Sequence, residues 1–247
     1  MSVSFIKDDG PSGCLSVNFL HERQGNTLHV FRKLAARQAG LSKAELSDRQ
    51  SRLLGPQGIL MNFSRQVARL GRQAPLLDEV MELEDRQNLT LVEDAVRFVL
   101  GQHDRCVAFE NPFSSQTREF LCCIVFDDVA PYTLVERYAA SEALRQQDGQ
   151  FFFGLIATTR HTVERRLVFQ GLLEHFDGLL PIEQSIYPAD YRCAQKSHLD
   201  REEQLYGKLE LDKPIRDLLE EHSPQWLLEN ICAQPATSAN NPDCPDE

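Results

Sequence analysis

Residues Cys14–Leu54 read CLSVNFLHERQGNTLHVFRKLAARQAGLSKAELSDRQSRLL, and the fold assignment turns on them. Leu15, Val17 and Phe19 alternate with Ser16 and Asn18, the period of two that a half-buried strand shows. Gly25 and Asn26 mark a turn. Leu28, Phe31, Leu34 and Ala35 then recur at helical spacing, and Gly40 ends that helix. Ser42 followed by Glu45 is a capping box that starts a second helix running to Leu54. The stretch therefore predicts one strand leading into two amphipathic helices.

The same region carries a local excess of positive charge in an acidic chain. The whole chain of 247 residues has a formal net charge of −11. Between Cys14 and Pro75 there are ten Lys and Arg (among them Arg32, Lys33, Arg37, Lys43, Arg65, Arg69 and Arg72) against three acids, a local +7 that leaves −18 for the remainder. An asymmetry of this size points to an anionic ligand approached from one side, and nucleic acid is the leading class. A solvated helical surface accounts for the same charges without any ligand.

Downstream, Gly55, Pro56 and Gly58 break the chain before a third helix over 57–72, in which Arg65, Arg69 and Arg72 share a face. Leu76–Arg86 and Leu89–Gln102 read as two more helices. Arg118–Phe126 is apolar on both faces and rich in aromatic and β-branched residues, which predicts a buried strand. Asp127 and Asp128 then read as caps of a helix over 129–147 rather than as a catalytic pair. Gly149 punctuates, and a long helix over 151–176 follows. It contains His161, which has no Cys, His or acid at metal-ligand spacing. Three short helices after a Pro-containing connector carry the chain to Ile231. The Pro-rich tail reads as disordered.

Several classes lose ground on composition. No apolar run reaches the roughly 18 residues that a membrane span needs, and the N-terminus has no signal-peptide pattern. These features predict a cytoplasmic protein. Seven cysteines at scattered spacings, with no C-x-x-C, predict reduced thiols and no metal site. The common phosphate-loop, dinucleotide, metalloprotease and hydrolase signatures are absent, so neither an enzyme nor a cofactor is expected. A small enzyme built on Asp127, Asp128 and His161 is the weakest reading.

Two resemblances sharpen the expectation. The L-S-V-N-F strand, the helix, the Ala39–Ser42 turn and the S-K-A-E-L helix start resemble the ribbon-helix-helix DNA-binding unit. The resemblance implies that Ser16 and Asn18 face bases from a two-chain ribbon in the major groove, and that Ser42 and Lys43 clamp a phosphate. The chain departs from that pattern in lacking Arg or Lys on the outer strand face and in the longer link after Phe19. The Arg118–Phe126 segment is the other candidate for the ribbon. A second resemblance covers the chain to about Leu218. The blocks LHERQGNTL, FSSQTREFLCCIVFDDVAPYTLVERYAASEA and YGKLELDKPIRD, in that order, look like the AcaB family of regulators carried on conjugative plasmids and integrating conjugative elements. It implies a dimeric, cytoplasmic activator of transfer genes acting on promoter DNA, with the transcription machinery as a further partner.

The expectation is thus a mostly α protein with a small β component. A basic ribbon-helix-helix-like unit over 14–75 packs on an acidic helical body over 76–231 with one buried strand, and 232–247 forms a tail. The expected DNA contacts are Ser16, Asn18, Arg32, Lys33, Arg37, Ser42, Lys43, Arg65, Arg69 and Arg72. The alternative is an adaptor whose basic face meets an acidic protein.

Overall fold

The computed structural model describes residues 26–77, 86–158 and 165–231. Within them every regular element is helical: α1 Thr27–Ala39, α2 Lys43–Leu54, α3 Ile59–Leu70, α4 Arg86–Gln102, α5 Arg118–Phe126, α6 Leu134–Ala157, α7 Arg165–Gly178, α8 Pro181–Gln184, α9 Tyr191–Tyr206, α10 Ile215–Glu221 and α11 Pro224–Ile231. A 3-10 turn, Gly71–Gln73, follows α3. The expected α+β class is therefore corrected. Among the described residues there is no strand and no ribbon-helix-helix unit. The Leu15–Phe19 stretch, His161 and the tail lie outside the described residues, as does much of the helix expected over Leu76–Arg86.

Arg118–Phe126 is the main reversal. It is α5, with Phe120 to Phe126 all buried. A helix surrounded on every side is apolar all round, so its sequence has no face to betray its period. What selects the helix lies at its ends. Thr117 Oγ1 accepts the Phe120 amide at 3.4 Å, and Glu119 sits in the first turn, where the helix dipole favours a negative charge. At the other end Arg137 takes over the carbonyls that the helix leaves unpaired. Its guanidinium donates to Ile124 O (3.0 Å), Val125 O (3.2 Å), Asp127 O (2.8 Å), Ala130 O (3.0 Å) and Tyr132 O (3.3 Å).

The junction after α5 also differs from expectation. Asp127 ends α5 instead of starting the next helix, and α6 begins five residues later than expected, at Leu134. Its cap is Thr133, whose amide and hydroxyl both donate to Glu136 Oε2 at 2.8 Å in a buried box. α6 then runs straight through Gly149, where open space surrounds the missing side chain. One glycine costs a helix about 1 kcal/mol, too little to end one with an apolar flank to bury. The single helix expected over 151–176 is divided between the end of α6 and α7.

The chain forms two compact units that divide between Gln146 and Gln147. In the first, α1 packs on α5, α2 on α3, and α3 on α4. The second is centred on Phe151, Leu155, Leu167 and Ile215. There, Glu174 accepts the Ile215 amide at 2.7 Å, and Arg216 donates to His175 Nδ1 at 3.0 Å while lying over the Phe151 ring.

Candidate nucleic-acid interface

The cations of α1–α3 divide into those tied to acids of the same unit and those left to solvent. Arg37 donates to Asp127 Oδ1 at 2.7 Å, and the Asp127 side chain is only 10% exposed. That bond holds the Arg37 guanidinium above its ordinary value. The same Asp127 oxygen accepts the Val129 amide at 3.1 Å, so the bridge fastens α1 to the turn after α5. Arg49 reaches Asp128 at 3.5 Å and Arg52 reaches Asp48 at 2.5 Å. Arg72 reaches Glu93 at 3.4 Å on α4. Asp127 and Asp128 thus receive arginines, and part of the local surplus of charge is scaffold.

Ser42 is occupied too. Its amide (2.8 Å) and hydroxyl (2.7 Å) both donate to Glu45 Oε2, while Oγ accepts the Glu45 amide. These bonds pull the Glu45 carboxyl below its usual range. A carboxylate thus occupies the Ser42 amide and hydroxyl that the ribbon-helix-helix resemblance assigns to a phosphate. Lys43 stands next to it, exposed. Ser16 and Asn18 lie outside the described residues.

Besides Lys43, four expected contacts remain. Arg32 and Lys33 on α1 and Arg65 and Arg69 on α3 are exposed and make no ion pair among the described residues. Arg65 has only a long contact, 3.5 Å, to Gln57 Oε1. Both helices set these side chains opposite the face that they bury: Leu34 and Gln38 on α1, and Leu60, Phe63 and Val67 on α3.

α3 is braced from behind at three points. Ser64 Oγ lies 3.1 Å from His103 Nε2 and 3.3 Å from Tyr138 Oη, which donates to Gln102 Oε1 at 3.1 Å. Burial pushes the Tyr138 hydroxyl up, so it stays a neutral link between α3, α4 and α6. Arg105 donates through Nε to Ala68 O at 3.0 Å and through Nη2 to Ala68 O and Arg69 O, covering the carbonyl end of α3. At the other end Asn62 Nδ2 donates to Gln57 O at 3.1 Å. None of these supports is legible in the sequence, because each joins residues that only the tertiary fold or the turn brings together.

A shallow groove of about 490 Å³ lies beside α1, lined by Val30, Lys33, Ala36, Arg37, Asp127, Val129 and Ala130. Among the described residues no group of three or more His, Cys, Asp or Glu is placed to hold a metal ion, and no helix is long and apolar enough to cross a membrane. Cys122 and Cys123 are buried, and burial together with Asp127 and Glu119 pushes the Cys123 thiol up to about 11. Comparison with protein-family models, with curated proteins and with solved structures finds no match in any of the three.

Proposed function

We propose that the chain is a DNA-binding regulator whose phosphate contacts come from Arg32 and Lys33 of α1 and from Arg65 and Arg69 of α3. The observation that carries this reading is the set of four exposed cations without an acidic partner among the described residues, in a chain of net charge −11. Exposed ion pairs contribute little to stability, so it is the clustering of these cations on α1 and α3 in an acidic chain that points to a ligand. The acidic remainder opposes indiscriminate binding to any polyanion and leaves a face for a protein partner. The resemblance to the AcaB family narrows the ligand to promoter DNA of transfer genes, bound by a homodimer in the cytoplasm.

The test is a gel-shift titration of the full chain against duplexes from its own genetic neighbourhood, with excess random competitor, at several salt concentrations. Four phosphate contacts per protomer, eight per homodimer, give a slope of log K against log salt of about −7, and a loss on the order of 10⁴-fold between 50 and 200 mM. Replacing the four cations by Gln should remove most of that slope. If no duplex survives competition, or the slope is unchanged in the variant, the proposal fails. An adaptor that meets an acidic protein would also weaken with salt, but it would not distinguish one duplex sequence from another.

A further inference from the structure

The exposed faces of α1, α2 and α3 are not equivalent, and their differences identify which of them could read sequence. α2 presents Ala44, Glu45, Asp48 and Arg52, with Asp48 and Arg52 paired to each other. Its other exposed cations are Lys43 and Arg49, the latter reaching Asp128, and two carboxylates on its outer face would meet phosphates. α1 presents His29, Arg32 and Lys33 beside Ala36, which supplies charge without an amide side chain to pair with adenine. α3 presents Met61, Arg65 and Arg69 in one line at i, i+4 and i+8, with Asn62 beside them, all exposed and all opposite Leu60, Phe63 and Val67.

These four side chains are a complete kit for major-groove chemistry. An arginine pairs with guanine O6 and N7, an asparagine with adenine N6 and N7, and an apolar group with the thymine methyl. The amide of Asn62 spends one N–H on Gln57 O, which leaves its second N–H and its Oδ1, the pair that adenine requires. The same Gln57 meets Arg65 through its side chain in a long contact of 3.5 Å.

The connection into α3 has the form of a reader as well. α2 and α3 pack on each other across the four-residue turn Gly55-Pro56-Gln57-Gly58, closed by Gly58 N to Gly55 O at 2.8 Å. A side chain at Gly58 would stand 2.7 Å from Leu53 O and 2.9 Å from Gly55 N, both main-chain atoms. A helix, a short turn containing glycine and a second helix that carries the contacts is the connectivity of a helix-turn-helix. A helix about 10 to 12 Å across fits a major groove about 12 Å wide. The supports behind α3, at Ser64 and at the carbonyl end held by Arg105, fix its position before any ligand arrives.

Resting on the DNA-binding reading above, we infer that α3 is the recognition helix and enters the major groove of duplex DNA. In this placement Met61, Asn62 and Arg65 face base edges, and Arg69 faces a phosphate beside the groove, with Arg32 and Lys33 holding a neighbouring stretch of backbone.

The experiment is selection of bound duplexes from a randomised pool by the full chain, followed by sequencing. It is run on the wild type and on Asn62→Ala, Arg65→Gln, Arg69→Gln and Arg32→Gln. All four positions are exposed, and far-UV circular dichroism confirms that each variant is folded before it is scored. The wild type should enrich one motif. Asn62→Ala and Arg65→Gln should each lose preference at one base pair by about 10- to 100-fold while still retaining random duplex. Arg69→Gln and Arg32→Gln should weaken all duplexes about equally and keep the motif. If the wild type selects a motif that Asn62→Ala and Arg65→Gln leave intact, α3 is not the reader, although DNA binding stands. α3 is equally ruled out as the reader if those two variants weaken every duplex by the same factor, or if single-stranded DNA or RNA outcompetes duplex. If the wild type retains no duplex at all, the DNA-binding proposal itself is overturned.

Discussion

Arg137 is the residue whose loss the fold should tolerate least for its degree of exposure. It is half-buried, and its guanidinium donates five hydrogen bonds of 2.8 to 3.3 Å to main-chain carbonyls at the end of α5 and in the turn before α6. Bonds from a charged donor contribute about 1.5 to 3 kcal/mol each, but five on one group do not add. Water can enter from the open side to solvate some of the abandoned carbonyls. By this reasoning Arg137→Ala should cost about 3 kcal/mol. Arg137→Lys, which keeps the charge but cannot span the same acceptors, should cost about half of that. The single Trp of the chain is Trp226, in the second unit, so its fluorescence would miss the event. Urea unfolding followed by far-UV circular dichroism, with amide hydrogen exchange read on α5, addresses the right place. An Arg137→Ala cost below about 1 kcal/mol, or α5 amides as protected as in the wild type, would refute the idea that its ends make Arg118–Phe126 a helix.

Three further outcomes follow from the geometry. Gly55→Ala would press a methyl group against the Ser51 carbonyl, and should cost about 2 to 3 kcal/mol in chemical denaturation; a neutral result would mean that the α2–α3 turn can relax. Alkylation of the native chain near pH 8 should label exposed Cys106 and Cys193 and leave Cys123 untouched, since its thiol is buried and pushed up to about 11; peptide mass mapping that shows Cys123 labelled at a similar rate would contradict its placement. Burial holds the Asp94 carboxyl above its usual range, so the folded state disfavours its ionised form, and the penalty sets in as pH rises past the unfolded value. Asp94→Asn should gain stability relative to the wild type as pH is raised from 3 to 7, and a gain that falls over that interval would reverse the assignment.

Local signals in the sequence are legible where they act through neighbouring residues. Ser42 and Glu45 form the expected capping box, and α1 stops at Gly40 as expected. α5 reads as a strand because its apolar stretch of seven residues, Phe120–Phe126, has no polar face from which to judge its period. Thr133 and Glu136 carry a capping-box pattern of their own, which the more conspicuous Asp127 and Asp128 overshadow. The excess of positive charge is visible from composition. Its partial neutralisation is not, because Arg37 and Arg49 meet their partners 90 and 79 residues away. The bracing of α3 by His103, Tyr138 and Arg105 is likewise a product of tertiary packing. Met61 and Asn62 carry no charge, so a reading guided by charge passes over both as candidate base contacts.

Arg105 changes the electrostatic field that an approaching polyanion meets. Every helix ends in carbonyls that together act as about half a negative charge, and on α3 they lie at Ala68 and Arg69, close to where a phosphate would be held. Left bare, that end would repel a polyanion. The guanidinium of Arg105 donates to those carbonyls and offsets their partial negative charge. A cation that need never touch a ligand thus removes the repulsion that the carbonyl end of α3 would otherwise offer to a polyanion.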